Sequence, residues 1–122
     1  MTDCKRLLII DDSRVSRMKL RQLVLQKRPQ WQIVEASSGE EGVQVAQTVE
    51  PDMVILDFNM PGIDGFETFQ QIQAQGSQAK FVFLSGNIQN VLRRRVEAQG
   101  VSLVEKPITV AAVDEALGHL ER

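Results

Sequence analysis

Five short apolar runs recur along the chain, each cut off by a polar or turn-forming cluster. They are Leu7 to Ile10 before Asp11-Asp12-Ser13, Ile33-Val34 before Ser37-Ser38-Gly39, Met53 to Leu56 before Asp57, Phe81 to Leu84 before Ser85-Gly86-Asn87, and Val101 to Val104 before Glu105-Lys106-Pro107. Uninterrupted runs of this length read as strands buried on both faces, as in a parallel sheet covered by helices. Between them the period changes to that of helices. Residues 13–28 have helix-forming composition and end before Pro29, with Leu20, Leu23 and Val24 on one side and Val15, Met18 and Leu25 on another. One of these sets faces the sheet and the other is left partly exposed. Val43, Ala46 and Val49 mark a second helix, and Phe66, Phe69 and Ile72 a third that breaks at Gly76. Ile88, Val91, Leu92 and Val96 mark a fourth, closed by Gly100, and Val110, Val113, Leu117 and Leu120 a fifth. Strands and helices alternating in this way predict an α/β fold, a doubly wound five-stranded parallel sheet with helices on both faces.

Composition narrows the picture without changing it. At 122 residues and 43% apolar, the chain suits one domain, residues 1–122, with a single core. It contains no internal repeat, low-complexity segment or linker. Fourteen basic against sixteen acidic residues give a net charge of -2, which provides no general attraction to nucleic acid or anionic membrane. Cys4 is the only cysteine, so an intrachain disulfide and a multi-cysteine metal site are excluded. No run approaches the roughly 18 apolar residues of a membrane span, and a cytoplasmic location is expected.

The candidate chemistry sits at the strand ends. Strand one runs into Asp11 and Asp12, strand three into Asp57, strand four into Ser85 and strand five into Lys106. In an open parallel sheet the carboxyl ends of the strands face the ligand crevice. If strands one, three, four and five are neighbours, three carboxylates, a hydroxyl and an ammonium converge there. Clustered carboxylates repel one another unless a cation neutralises them, and hard oxygen ligands with room for water suit Mg²⁺. A metal-bound carboxylate beside a lysine and a hydroxyl is equipped for phosphoryl chemistry.

Each residue taken singly has a plainer explanation. Asp11 and Asp12 can cap a helix, Asp57 and Ser85 can open turns, and Lys106 can be a solvated base. Their joint placement at strand ends is harder to assign to turn chemistry. Gly62 and Gly65 read as backbone necessities, since no phosphate-binding glycine pattern is present. His119 reads as a solvated side chain. In the run Arg93-Arg94-Arg95, helical geometry puts Arg95 near the apolar stripe and turns Arg93 and Arg94 outward.

As an ordered set, Asp11-Asp12, Asp57, the Met60-Pro61-Gly62-Ile63-Asp64-Gly65 loop, Ser85 and Lys106-Pro107 resemble the receiver domain of two-component response regulators over essentially the whole chain. The resemblance implies a flavodoxin-like (βα)5 fold. It implies that Asp57 accepts a phosphoryl group from a phosphohistidine on a sensor kinase or phosphotransfer protein. It further implies that Asp11, Asp12, Asp57 and the Asn59 carbonyl hold Mg²⁺, directly or through water. Ser85 and Lys106 would receive the phosphoryl oxygens, and a cis Lys106-Pro107 bond is expected. The family signals through its fourth helix, fifth strand and fifth helix to a downstream protein target, with a strand-five aromatic that turns inward. Here that position is Leu103, the residue after Lys106-Pro107 is Ile108, and Ser85 stands where threonine is commoner. The output step is therefore expected to fall on the Ser85-Gly86-Asn87 loop and the start of the fourth helix.

Because the chain ends after its fifth helix, it is expected to resemble single-domain regulators of the chemotaxis type, acting as a switch rather than an enzyme. Val15, Met18 and Leu25 among Arg14, Arg17 and Arg21 suggest a docking patch for the phosphohistidine donor. The alternatives are an aspartate-nucleophile phosphatase similar to the haloacid dehalogenase superfamily and a degenerate receiver acting as a scaffold. The first expects an acid two residues after the nucleophile, where this chain has Asn59.

Overall fold

The computed structural model describes residues 4–86 and 89–121, apart from the side chain of Val91. Elements alternate strictly: β1 (Arg6–Ile10), α1 (Arg14–Lys27), β2 (Gln32–Ala36), α2 (Gly39–Val49), β3 (Met53–Leu56), α3 (Gly65–Ala74), β4 (Lys80–Ser85), α4 (Asn90–Ala98), β5 (Ser102–Glu105) and α5 (Val110–Leu120). The five strands form one parallel sheet in the order β2-β1-β3-β4-β5. This is the predicted doubly wound, flavodoxin-like α/β fold. Asn87 and Ile88, part of the expected output loop and fourth helix, lie outside the described residues.

Side chains along each strand alternate between two cores. Leu7, Ile9, Met53, Ile55, Val82, Leu84 and Val104 pack with α1 and α5, through Leu20, Val24, Val113 and Leu117. Leu8, Ile10, Val54, Leu56, Phe81 and Phe83 pack on the other face with Ala46, Phe66, Phe69, Ile72 and Val96 of α2, α3 and α4. Burial on both faces explains why these strands read as continuous apolar runs rather than alternating ones. Each fully buried leucine or isoleucine contributes about 1.5–3 kcal/mol, so the central strands β1 and β3 make a rigid base for the loops that follow them.

Four helices start on side-chain caps: Ser13 accepts from the Ser16 amide, Ser38 from Glu41, Asp64 from Glu67 and Thr109 from Ala112. The expected division of α1 holds, because Leu20 and Val24 are buried while Val15 is 74% and Met18 58% exposed. The α5 stripe differs from expectation at its start, where Val110 is exposed and Ala112 and Val113 take the core positions. At the first position of the helix, the register that aims residues 113, 117 and 120 at the sheet carries residue 110 to the rim.

Candidate functional site

The strand order creates the site. From β1 the chain crosses outward to β2, then returns past β1 to β3, so the connections leaving β1 and β3 diverge and open a crevice at their carboxyl ends. Ile10 pairs with Leu56 in the sheet, and the Asp57 amide donates to the Ile10 carbonyl at 2.9 Å, which sets Asp11 and Asp57 side by side one residue beyond the ladder. On the far side β4 follows β3, so Ser85 arrives next to Asp57. Lys106 extends the β4–β5 pairing by donating its amide to the Ser85 carbonyl at 3.0 Å.

The side chains meet as this frame directs. The Ser85 hydroxyl donates to Asp57 Oδ1 at 2.6 Å and itself accepts from the Phe58 amide at 3.4 Å. Lys106 Nζ donates to Asp11 Oδ2 at 3.0 Å and lies 3.6 Å from Asp57 Oδ2. Asp11 Oδ1 accepts from the Ser13 amide at 2.9 Å. Asp11, Asp57 and Ser85 are buried, whereas Asp12 and Asn59 are exposed at the mouth. The Asn59 side-chain amide reaches the Gly86 carbonyl at 3.4 Å, and the Lys106-Pro107 peptide is cis.

Electrostatics follow from burial and neighbours. Burial pushes the Asp57 carboxyl above the usual range, and the charges of Asp11 and Asp12 push the same way, against the Ser85 hydrogen bond and Lys106. For Lys106, burial works against the charge, but the hydrogen bond to Asp11 and the negative charges of Asp57 and Asp11 outweigh it and raise its pKa. One ammonium thus faces three carboxylates whose oxygens lie within 4.8 Å of one another. The set fits a hard divalent cation: oxygen donors only, excess negative charge, and an exposed Asp12 leaving a side open to water. The Asn59 carbonyl accepts no hydrogen bond among the described residues and remains available as a further oxygen donor.

Two glycines shape the rim. A Cβ on Gly65 would sit 2.3 Å from the Asp57 carbonyl oxygen and 2.7 Å from Phe58 Cα, so only glycine lets the chain re-enter α3 this close beneath the nucleophile candidate. Gly62 has φ of +79°, the left-handed region that its turn requires. Both are backbone requirements, as expected.

Other expectations are revised. Arg95 does lie over an apolar group, its guanidinium 4.7 Å from the Phe66 ring centre, but Arg93 is half-buried and paired with Glu105 rather than turned outward. His119 is not simply solvated: its Nδ1 is buried without a partner among the described residues, and Nε2 is 3.8 Å from Glu115. The basic rim of α1 is thinner than expected, because Arg17 and Arg21 both turn to Glu35 on β2. Arg17 also donates to the Asp11 carbonyl at 2.7 Å, a contact with the site that one-dimensional reading missed. Its only sequence signal is an arginine six positions after Asp11, and Glu35 becomes its partner only through β1–β2 pairing. Leu103 is half-buried against the core formed with α2, α3 and α4.

The model of the response regulator receiver domain matches residues 7–118. The chemotaxis protein CheY of Listeria monocytogenes is 33% identical over 92% of this chain and 94% of its own length. The transcriptional regulatory protein LiaR of Bacillus subtilis is 33% identical over 92% of this chain, and the nitrate/nitrite response regulator NarL of Escherichia coli 34% identical over 65% of it. The chain spans 54% of the former and 37% of the latter. Among solved structures, chemotaxis protein CheY4 of Vibrio cholerae superposes with a TM-score of 0.84 at 22% identity, covering 97% of this chain and 99% of that one. The response regulator domain of Thermotoga maritima CheB superposes at 0.79 with 25% identity, covering 98% and 92%.

Proposed function

This chain belongs to the response regulator receiver domain family, and we propose that residues 1–122 act as one phosphoacceptor domain of a two-component phosphorelay, with Asp57 as the residue modified. The observation that carries this reading is the convergence on Asp57 of Ser85 Oγ at 2.6 Å and Lys106 Nζ at 3.6 Å, beside the carboxylates of Asp11 and Asp12.

In the proposed step a carboxylate oxygen of Asp57 attacks the phosphorus of a phosphohistidine on a sensor kinase or phosphotransfer protein. The O–P bond forms as the P–N bond breaks, and the leaving imidazole nitrogen keeps the electron pair and is protonated. The Ser85 hydroxyl and the Lys106 ammonium, both already on Asp57, turn to phosphoryl oxygens. Asp11, Asp12, Asp57 and the Asn59 carbonyl would hold Mg²⁺, which supplies charge neutralisation. The domain catalyses only its own phosphorylation and dephosphorylation.

The modified form would change its binding to a downstream protein target through α4, β5 and α5. Leu103 is smaller than the aromatic of the family pattern and is half-buried, so its rearrangement changes less surface. The switch is assigned instead to the β4–α4 connection beginning at Ser85 and Gly86. A cytoplasmic location and no direct contact with nucleic acid or membrane accompany this reading. No helix among the described residues is long and apolar enough to cross a membrane. Incubation with a small phosphodonor and Mg²⁺ tests the assignment. One acid-labile phosphate per chain is expected, whereas steady hydrolysis of a phosphomonoester would indicate a phosphatase and no labelling a scaffold.

A further inference from the structure

Asp12 is the exposed member of the acidic set, and its carboxylate has no hydrogen-bond partner among the described residues. With no such partner, what the fold fixes is the backbone that carries it and the direction of its Cα–Cβ bond. The peptide plane that carries it begins at the Asp11 carbonyl, and that oxygen accepts from Arg17 Nη1 at 2.7 Å. Arg17 is itself held, because its Nε donates to Glu35 Oε1 at 3.0 Å and its side chain is only 15% exposed. Arg21 approaches the other Glu35 oxygen at 3.4 Å without touching the Asp11 loop.

We infer that Arg17 is a positioning residue for the acidic site: by clamping the Asp11 carbonyl against β2 through Glu35, it fixes the Asp11-Asp12 peptide and so aims Asp12 at the cation. The inference rests on the phosphoacceptor reading above. The planar guanidinium suits this role, since its fork reaches a carbonyl and a carboxylate together from one rigid group. Lysine concentrates its charge at one atom and cannot reproduce that fork. The Arg17 hydrogen bond falls on the Asp11 carbonyl and not on a carboxylate oxygen of the site, so Arg17 acts by direction and not by competing with a cation for the aspartates. Second-layer contacts of this kind orient metal ligands without touching the metal.

The test is calorimetric Mg²⁺ titration of the whole chain, beside Mg²⁺-dependent labelling by a small phosphodonor. Arg17→Met and Arg17→Lys are each expected to weaken Mg²⁺ binding about tenfold. Both should raise the Mg²⁺ concentration for half-maximal labelling by a similar factor, while the limiting rate stays near that of the parent chain. Arg21→Met, which removes only the 3.4 Å contact to the other Glu35 oxygen and the 3.3 Å contact to the Ile33 carbonyl and leaves both Arg17 hydrogen bonds in place, is expected to bind Mg²⁺ as the parent does. Circular dichroism confirms that the variants compared are folded, and Arg17→Lys keeps the charge and helix propensity should Arg17→Met fail to fold. Parent-like Mg²⁺ affinity in Arg17→Lys overturns the inference, as does an equal loss in Arg21→Met, which would reveal general anchoring of α1. If the parent chain neither binds Mg²⁺ nor labels, the phosphoacceptor reading falls as well; if the parent labels and only the Arg17 variants fail to differ from it, that reading stands.

Discussion

The Ser85 hydroxyl and the Asp57 carboxylate meet at 2.6 Å across the ends of neighbouring strands, 28 positions apart in the chain. Ser85 is thus already on the group whose modification it would sense. Under the proposed function, phosphorylation of Asp57 would shift this hydrogen bond to a phosphoryl oxygen and draw the start of the β4–α4 connection with it.

Replacing Asp57 with asparagine keeps the shape and removes the charge. Acid-labile phosphate incorporation should be abolished. The folded state raises the Asp57 pKa, so the carboxylate is penalised by folding. Its cost is absent below the ordinary carboxylate range, where both states are protonated, and develops as pH rises through that range to the raised folded value. In Mg²⁺-free buffer at neutral pH, Asp57→Asn should therefore melt above the parent. The difference should vanish in acid, as thermal melts across pH will show.

Lys106→Ala removes the ammonium between Asp11 and Asp57 and leaves both buried carboxylates without it. Mg²⁺ binding should persist, because the oxygen donors remain. Binding of a target selected for the phosphorylated form should be lost. Normal target binding by this variant would reduce Lys106 to a base with no part in the response.

Gly65→Ala forces a methyl group to 2.3 Å from the Asp57 carbonyl oxygen. Backbone atoms cannot give way as a flexible side chain can, so a loss of about 2 kcal/mol or more is expected in urea denaturation. Labelling of Asp57 should fall with it, since the displaced segment carries Asp57 itself.

Val15 and Met18 stand exposed on α1, the helix that follows Asp11 and Asp12 in the chain. Met18→Asp should slow phosphoryl transfer from a phosphohistidine donor and spare labelling by a small phosphodonor. Equal loss of both would mean that the substitution disturbs the site itself.

Amide hydrogen exchange with and without a phosphate analogue and Mg²⁺ should change most over residues 85–95, with a smaller change around Leu103. Protection changes centred on Leu103, with 85–95 silent, would place the switch in β5 instead.

The strands, the helices and the polar group at each strand end were legible because they depend on near neighbours: an apolar run, a helical period, a cap, a carboxylate where the run stops. Even the exposed side of α1 followed from its two apolar sets. The order β2-β1-β3-β4-β5 was a supposition until the tertiary structure supplied it, because pairing between β1 and β3 joins residues more than forty positions apart, as Leu7 with Met53. The same nonlocal pairing turned Arg17 from a rim residue into a clamp on Asp11, since Glu35 reaches it only when β2 lies against β1. Arg93 was misjudged for a like reason: helical geometry gives the direction of a side chain around its own axis, but Glu105 stands in that direction only after β5 has joined the sheet. Local sequence thus determined which chemical groups end the strands, and tertiary structure alone decided which of those groups touch, because contact between distant segments is set by how complete elements pack and not by any residue's neighbours in the chain.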